Sequence, residues 1–383
     1  MNRLITDMWV SPRDASSALY PGRIRERSHA ELIHTEVSSA NLGVAAFEAH
    51  QRLKRVAGWD RIINRNDWFQ RHVIRCLSAL PAERGGTERV LFSFSYTALR
   101  PFQFAKSLGW STVLGQIDAG PSGEAAFAKA GSVPDKLGSG APPLGYWQQW
   151  RQECDLADAI LVNSAWSAEA LRSVGVAGHK LHVVPLAYEA AAGASAFRRT
   201  YPREFSKWRP LRLLFLGQVT IGKGAAVVLE ALDQLGAEPL EVWFVGARRF
   251  EVEERWLVDP RVHWVGAVPR SETALHYQQA DVFLFPTFSD GFGLTQLEAQ
   301  SWKLPVVASR FCGDVVRDGV NGVLLESVSP SALANAIRSL LAQPNRLASM
   351  SQAASTRDFS LERLGTDLRR IGAQLARSRA VHG

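Results

Sequence analysis

The chain has 383 residues, 46% of them hydrophobic and 21% charged, which is enough for about two domains with a sizeable core. A net charge of +7 favours acidic partners such as nucleic acid, anionic lipid or phosphorylated compounds. No zinc-finger spacing, ribonucleoprotein aromatic motif or basic run with interleaved aromatics supports the first of these. Three scattered cysteines, Cys76, Cys154 and Cys312, argue against disulfides and a zinc site, and the lack of a signal-like start or a long apolar window points to the cytoplasm.

Short apolar runs alternate with helical patterns, which predicts parallel sheets covered by helices. In the first half the predicted strands are 4–10, 89–94, 112–116, 159–162 and 181–184. The predicted helices are 40–55, 61–80, 98–108, 146–155 and 167–174. On the helix 61–80, Arg61, Arg65, Trp68, His72 and Arg75 share one face, while Ile62, Phe69, Val73, Cys76 and Leu80 share the other. That basic face reads either as a patch for anionic lipid or as a surface helix packed on a sheet with its arginines in water. Residues 120–143, rich in Gly, Pro, Ala and Ser, read as a long loop that serves as a lid or acceptor wall.

Periodicity fails over 188–210, which is taken as the connection between domains 1–187 and 211–360. A cleaner alternation follows: strand 211–216, helix 225–235, strands 241–245 and 262–265, helix 272–279, strand 282–285 and strand 306–309. Helices 330–341, 345–354 and the basic 361–378 (Arg369, Arg370, Arg377, with Arg379 just beyond) complete the chain.

Two turns in this half carry candidate chemistry. The stretch 284–298 reads L-F-P-T-F-S-D-G-F-G-L-T-Q-L-E: a strand stops at Pro286, passes a polar turn with two glycines, and opens a helix. Glycines let the backbone come close to a ligand, and the free N–H groups of a helix start face an anion. Asp290 and Glu298 bracket the turn with seven residues between them. Carboxylates repel phosphate but accept hydrogen bonds from hydroxyls, so the pattern suits a ligand that is both phosphorylated and polyhydroxylated, as a nucleotide sugar is. Taken singly, Asp290 also reads as a turn former and Glu298 as a helix acid favoured by the dipole. The second turn, G-Q-V-T-I-G-K-G at 217–224, sets Lys223 among glycines at a strand-to-helix turn; it is either a plain turn or a cation aimed at phosphate, and it lacks Walker spacing. Ligands of an open parallel sheet lie at the carboxyl ends of its strands, where both turns occur.

These residues resemble the nucleotide-binding domain of the family-4 retaining glycosyltransferases of the GT-B fold, the group 1 type. The matches are F-L-G-Q-V-T-I-G-K-G, A-D-V-F-L-F-P-T-F-S-D-G-F-G-L-T-Q-L-E-A, K-L-P-V-V-A-S and C-G-D-V-V-R-D-G-V-N-G-V-L-L-E. In the first half, A-D-A-I-L-V-N-S-A-W-S-A-E-A-L followed by K-L-H-V-V-P-L resembles the end of the family's N-terminal domain. The resemblance implies two Rossmann-like doubly wound domains facing a cleft, with the last helix, 361–383, returning to the first. It implies a nucleotide-diphosphate sugar as donor (UDP- or GDP-linked), a glycan, glycolipid or other hydroxyl acceptor, and no metal or other cofactor. It also implies an enzyme of bacterial polysaccharide or glycoconjugate assembly; peripheral contact at the inner face of the membrane rests on the lipid reading of the 61–80 helix, not on the resemblance.

By the same resemblance Lys223, with Gly217 and Gln218 in its turn, binds the donor diphosphate. Glu298 holds ribose hydroxyls and Asp290 holds hydroxyls of the transferred sugar. The amides of Gly291, Phe292, Gly293, Leu294 and Thr295 cap phosphate, and Val268 meets the nucleobase. The chain departs from the family at four points. Asp290 replaces the usual Glu, Gln218 replaces the usual Arg, and the Gly-rich loop after the first strand is absent. The strand T-V-L-G-Q-I-D-A-G-P ends without the usual histidine, so Asp118 either orients the acceptor and takes its proton or simply starts a turn. Asp290 and Gln218 keep open a partner subunit that binds sugar nucleotides without turnover, and the basic helix keeps open a lipid-surface protein on a GT-B scaffold.

Overall fold

The computed structural model describes residues 3–11, 29, 32–80, 89–131 and 141–382, with the side chains of 378–382 outside the description. Residues 132–140 of the expected loop and the Arg379 side chain therefore lie outside the described residues. The first half runs β1 (Arg3–Ile5), β2 (Glu36–Ser38), α1 (Asn41–Leu53), α2 (Gly58–Ser78), β3 (Val90–Phe94), α3 (Leu99–Ser107), β4 (Ser111–Gln116), α4 (Gly120–Lys129), α5 (Leu144–Leu156), β5 (Ala159–Val162), α6 (Ala165–Ser173) and β6 (Leu181–Val183). The second half runs β7 (Leu211–Leu216), α7 (Ala225–Leu235), β8 (Leu240–Val245), α8 (Glu254–Val258), β9 (Val262–Gly266), α9 (Thr273–Gln279), β10 (Val282–Phe285), α10 (Leu294–Ser301), β11 (Val306–Ala308), β12 (Gly322–Leu324), α11 (Pro330–Leu341), α12 (Pro344–Ala353) and α13 (Leu361–His382).

By packing, the chain divides into two units: Met1–Gly115 with Lys136–Ala159, and Gln116–Asp135 with Ile160–Gly383. In the first unit β1 pairs with β2 and β3 with β4, all in parallel. The face of α2 that carries Arg61 and Arg65 is turned to α1. Both guanidiniums pair with Glu48, Arg65 also pairs with Asp7, and Trp68 packs on Phe47 with ring centroids 5.5 Å apart. The patch expected to meet anionic lipid thus spends these two cations on carboxylates of its own unit. Burial pushes the Glu48 carboxyl upward, but the two guanidiniums outweigh it and hold the group below its usual range.

The expected 120–143 loop contains α4, a correction to the composition-based reading. Pro121 is pre-set for a first helical turn, and E-A-A-F-A-K that follows is a run of good helix formers. The predicted first strand, 4–10, contracts to Arg3–Ile5, because beyond it Trp9 exchanges two hydrogen bonds with the Asn41 side chain instead of a neighbouring strand.

The second unit holds a six-stranded parallel sheet in the order β12-β11-β10-β7-β8-β9. Strand alternation sorts its side chains to two cores. Leu211, Leu213 and Phe215 join Val228, Leu232, Leu333 and Ile337 from α7 and α11 on one face, while Leu214, Phe283 and Phe285 join Tyr277, Ala299 and Trp302 on the other. Helix α11 starts where its sequence says it should, with the Ser329 hydroxyl accepting the Ala332 amide (3.2 Å) and Pro330 in the first turn. Residues 188–210, expected as a connection, are built into this unit: Ala194 and Phe205 are buried, and the Tyr201 hydroxyl donates to the Asp281 carbonyl (3.0 Å). None of the described helices is long and apolar enough to cross a membrane.

Candidate active site

Sheet order locates the site before any side chain does. From β7 the chain steps outward to β8 and β9, then returns to the other flank of β7 as β10 and steps outward again to β11 and β12. The direction reverses between β7 and β10, and the carboxyl ends of two strands that diverge in this way leave a crevice. A cavity of about 340 Å³ lies there, lined by Phe215, Leu216 and Gly217 at the end of β7 and by Leu284 and Phe285 on β10. Gln218, Lys223, Asp290, Phe292, Gly293, Leu294 and Thr295 also line it, with Ile117, Asn163 and Leu186. The two turns singled out from the sequence therefore face one space.

Close approach of the two turns depends on Gly224, whose φ is +84° and where a Cβ would stand 2.1 Å from the Pro286 carbonyl oxygen. Lys223 Nζ donates to Asp290 Oδ2 at 2.6 Å and lies 3.4 Å from the Ser289 carbonyl. Asp290 Oδ1 accepts the Phe292 amide at 3.0 Å, closing a tight turn before α10. Both oxygens of Asp290 thus have protein partners, and the Phe292 amide, expected to cap phosphate, is spent on Asp290. The amides of Gly293, Leu294 and Thr295 have no acceptor among the described residues. They form the start of α10 on the cavity wall, where aligned peptide dipoles favour an anion.

Glu298 lies one turn further along α10, on the same stripe as Leu294 and Thr295 and outside the residues that line the cavity. Its Oε2 accepts the Tyr277 hydroxyl of α9 at 2.7 Å. The ends of the two helices are joined by Arg199, whose guanidinium donates to the carbonyls of Tyr277 (2.7 Å), Gln278 (3.1 Å) and Ala280 after α9, and to those of Trp302 (2.9 Å) and Lys303 (3.1 Å) after α10. Those carbonyls are the orphan acceptors of helix C-termini, and one planar cation serves both sets.

The other expected residues fall at the margins. Gln218 is exposed on the cavity wall, and Val268 packs against the core cluster that contains Tyr277 without lining the cavity. Arg248, just after β8, lies over the Trp264 ring at 5.4 Å. Asp118 does not line the cavity. Its Oδ1 accepts Gln116 Nε2 (2.8 Å) and the Gly120 amide (2.9 Å), so it serves the turn into α4. The segment still reaches the site, because Gly291 packs so tightly that a Cβ there would stand 2.0 Å from the Ile117 carbonyl oxygen. Helix α4 adds Phe127, whose ring lies 6.0 Å from Lys223 Nζ.

Sequence reasoning missed Asn163, Leu186, Tyr277 and Arg199. Asn163 follows β5 directly, so the carboxyl-end rule could have found it; Arg199 sits in a segment without periodicity and gave no signal.

Residues 210–343 match the family model described as Glycosyl transferases group 1. Over this segment the chain is similar to the group 1 glycosyltransferases. A D-inositol 3-phosphate glycosyltransferase of Xylanimonas cellulosilytica is 32% identical over 250 residues, 58% of this chain and 58% of that protein. One from Geodermatophilus obscurus is 36% identical over 149 residues, 34% of this chain and 33% of that protein. The chain thus spans between about a third and three-fifths of the curated relatives it matches. Among solved structures, sucrose-phosphate synthase from Thermosynechococcus elongatus superposes with a TM-score of 0.65 at 17% identity, over 98% of this chain and 89% of that one. Anabaena HepE in complex with UDP superposes with a TM-score of 0.61 at 16% identity, over 98% and 100%. At such identities the likeness is one of fold, and the fold is that of the GT-B glycosyltransferases.

Proposed function

We propose that the chain is a glycosyltransferase that moves a sugar from a UDP- or GDP-linked donor to an acceptor hydroxyl with retention of anomeric configuration. One observation carries the reading: at the switch point of the sheet, Lys223 and the free amides of Gly293, Leu294 and Thr295 face one cavity, with Glu298 a turn further on. The spacing suits an extended ligand, with the diphosphate at the helix start, the ribose about 5 Å along α10 at Glu298, and the base toward the loop that carries Val268. The UDP complex of HepE and the glycosyltransferase names of the sequence relatives support the same ligand class.

A diphosphate entering the cavity competes with Asp290 for Lys223. As the bond between the sugar C1 and the phosphate oxygen breaks, negative charge grows on the leaving phosphate, where Lys223 and the helix-start amides lie. The acceptor oxygen bonds C1 on the face the phosphate leaves, and its proton passes to a phosphate oxygen. This scheme asks for no separate base and gives a metal ion no role. An acceptor in a bacterial glycan or glycolipid completes the reading.

A second reading, binding of sugar nucleotides without turnover, rests on the saturation of both Asp290 oxygens. Incubation with UDP-, GDP- and ADP-sugars and a panel of acceptors separates the two. Transfer predicts acceptor-dependent release of nucleoside diphosphate, lowered about a hundredfold in Lys223→Ala and Glu298→Ala, with a product anomer that matches the donor by NMR. Binding without release from any donor leaves the binder; an inverted product removes the retaining scheme.

A further inference from the structure

Resting on the donor-site reading, we infer that Tyr277 is a positioning residue that fixes the Glu298 carboxylate and thereby sets the preference of the site for ribose over deoxyribose. Tyr277 is 1% exposed, and its hydroxyl meets Glu298 Oε2 at 2.7 Å. A buried phenol whose hydroxyl is satisfied by one carboxylate oxygen holds that carboxylate in a single rotamer, with charge-assisted strength. Oε1 has no partner among the described residues, so one oxygen is anchored and the other is presented to a ligand. Burial, with the Glu298 charge beside it, pushes the phenol well above its ordinary range, so Tyr277 stays a donor through the working pH range.

The backbone under this pair is equally fixed. Arg199 joins the carbonyl ends of α9 and α10, and Ser301 Oγ donates to the Glu298 carbonyl at 2.7 Å. A site that holds a hydrogen-bonding group in place rejects a ligand lacking the matching hydroxyl much more strongly than one whose group is free to turn away. The ribose lies a turn away from the leaving phosphate, so the effect belongs to binding and discrimination rather than to the chemical step.

The test uses the full chain and calorimetric titration with UDP, GDP and ADP, then with the 2′-deoxy and 3′-deoxy forms of whichever binds best. The wild type is expected to prefer the ribonucleotide by about tenfold or more over at least one deoxy form. Tyr277→Phe, which keeps the ring in the core, is expected to weaken the ribonucleotide by about tenfold and the deoxy form hardly at all, so that the preference collapses. At saturating donor its kcat stays within about twofold of wild type. Glu298→Gln is expected to remove the preference by itself, and adding Tyr277→Phe to it to cost less than about twofold more, since the two act as one unit. Equal weakening of ribo and deoxy forms by Tyr277→Phe, or additive losses in the double variant, assigns Tyr277 to the core alone and overturns the inference. Failure of all three nucleotides to bind the wild type overturns the donor-site reading itself, and this inference with it.

Discussion

Asp290 is the residue where the sequence and the structure say most to each other. Its neighbours were legible as a phosphate turn because glycine, helix start and acid recur at a strand end, yet its partners were not. Only the fold shows that one oxygen closes the turn on the Phe292 amide while the other meets Lys223. Glu153 was not legible at all, since nothing in L-G-Y-W-Q-Q-W-R-Q-E-C marks it. It is fully buried, and its carboxylate accepts the amides of Tyr96 (2.6 Å), Ala98 (3.0 Å) and Leu99 (3.2 Å) at the start of α3. Burial pushes the group up to about 7 from 4.5, against the pull of those amides. The folded chain therefore holds this proton up to about pH 7, whereas the unfolded chain releases it near 4.5. The resulting stability is fully present below 4.5 and is lost as pH rises through 7, to a limit of about 3 kcal/mol. Glu153→Gln cannot ionise, so the stability of the wild type relative to this variant should fall between pH 5 and 8 in urea titrations. Parallel curves for the two proteins would remove the assignment.

At the scale of elements, the long periodic segments were readable and the short or compositionally unusual ones were not. Helix α7 and strand β7 fall at the predicted residues because one face or alternate side chains are apolar. Strands β2 and β12, three residues each, are too short to carry a period, and α4 hides behind glycine and proline that usually mark loops. The segment 188–210 has no regular elements, yet it supplies the side chain that ties α9 to α10. Arg199→Ala removes one half-buried cation and leaves five backbone carbonyls without their donor, a loss on the order of 3 kcal/mol. Arg199→Lys should recover only part, because an ammonium cannot reach both carbonyl sets with a planar fork. Urea unfolding midpoints that are unchanged in Arg199→Ala would show the carbonyls to be served otherwise.

On the scale of the whole molecule, the GT-B fold and the crevice at β7 and β10 follow from a parallel sheet whose strand order reverses once. The sequence carried this in its second half, where the blocks stand in order, and only faintly in the first 150 residues. The central claim is that the crevice binds the diphosphate of a sugar nucleotide through Lys223 and the start of α10. Thermal unfolding of the full chain with UDP, GDP and ADP, alongside Lys223→Ala, tests it most directly, because a ligand that binds only the folded state raises the melting temperature by mass action. At least one nucleotide should raise it by several degrees at about a hundred times its Kd, and Lys223→Ala should lose most of that rise while melting normally alone. No rise with any nucleotide, or an equal rise in Lys223→Ala, would contradict the account.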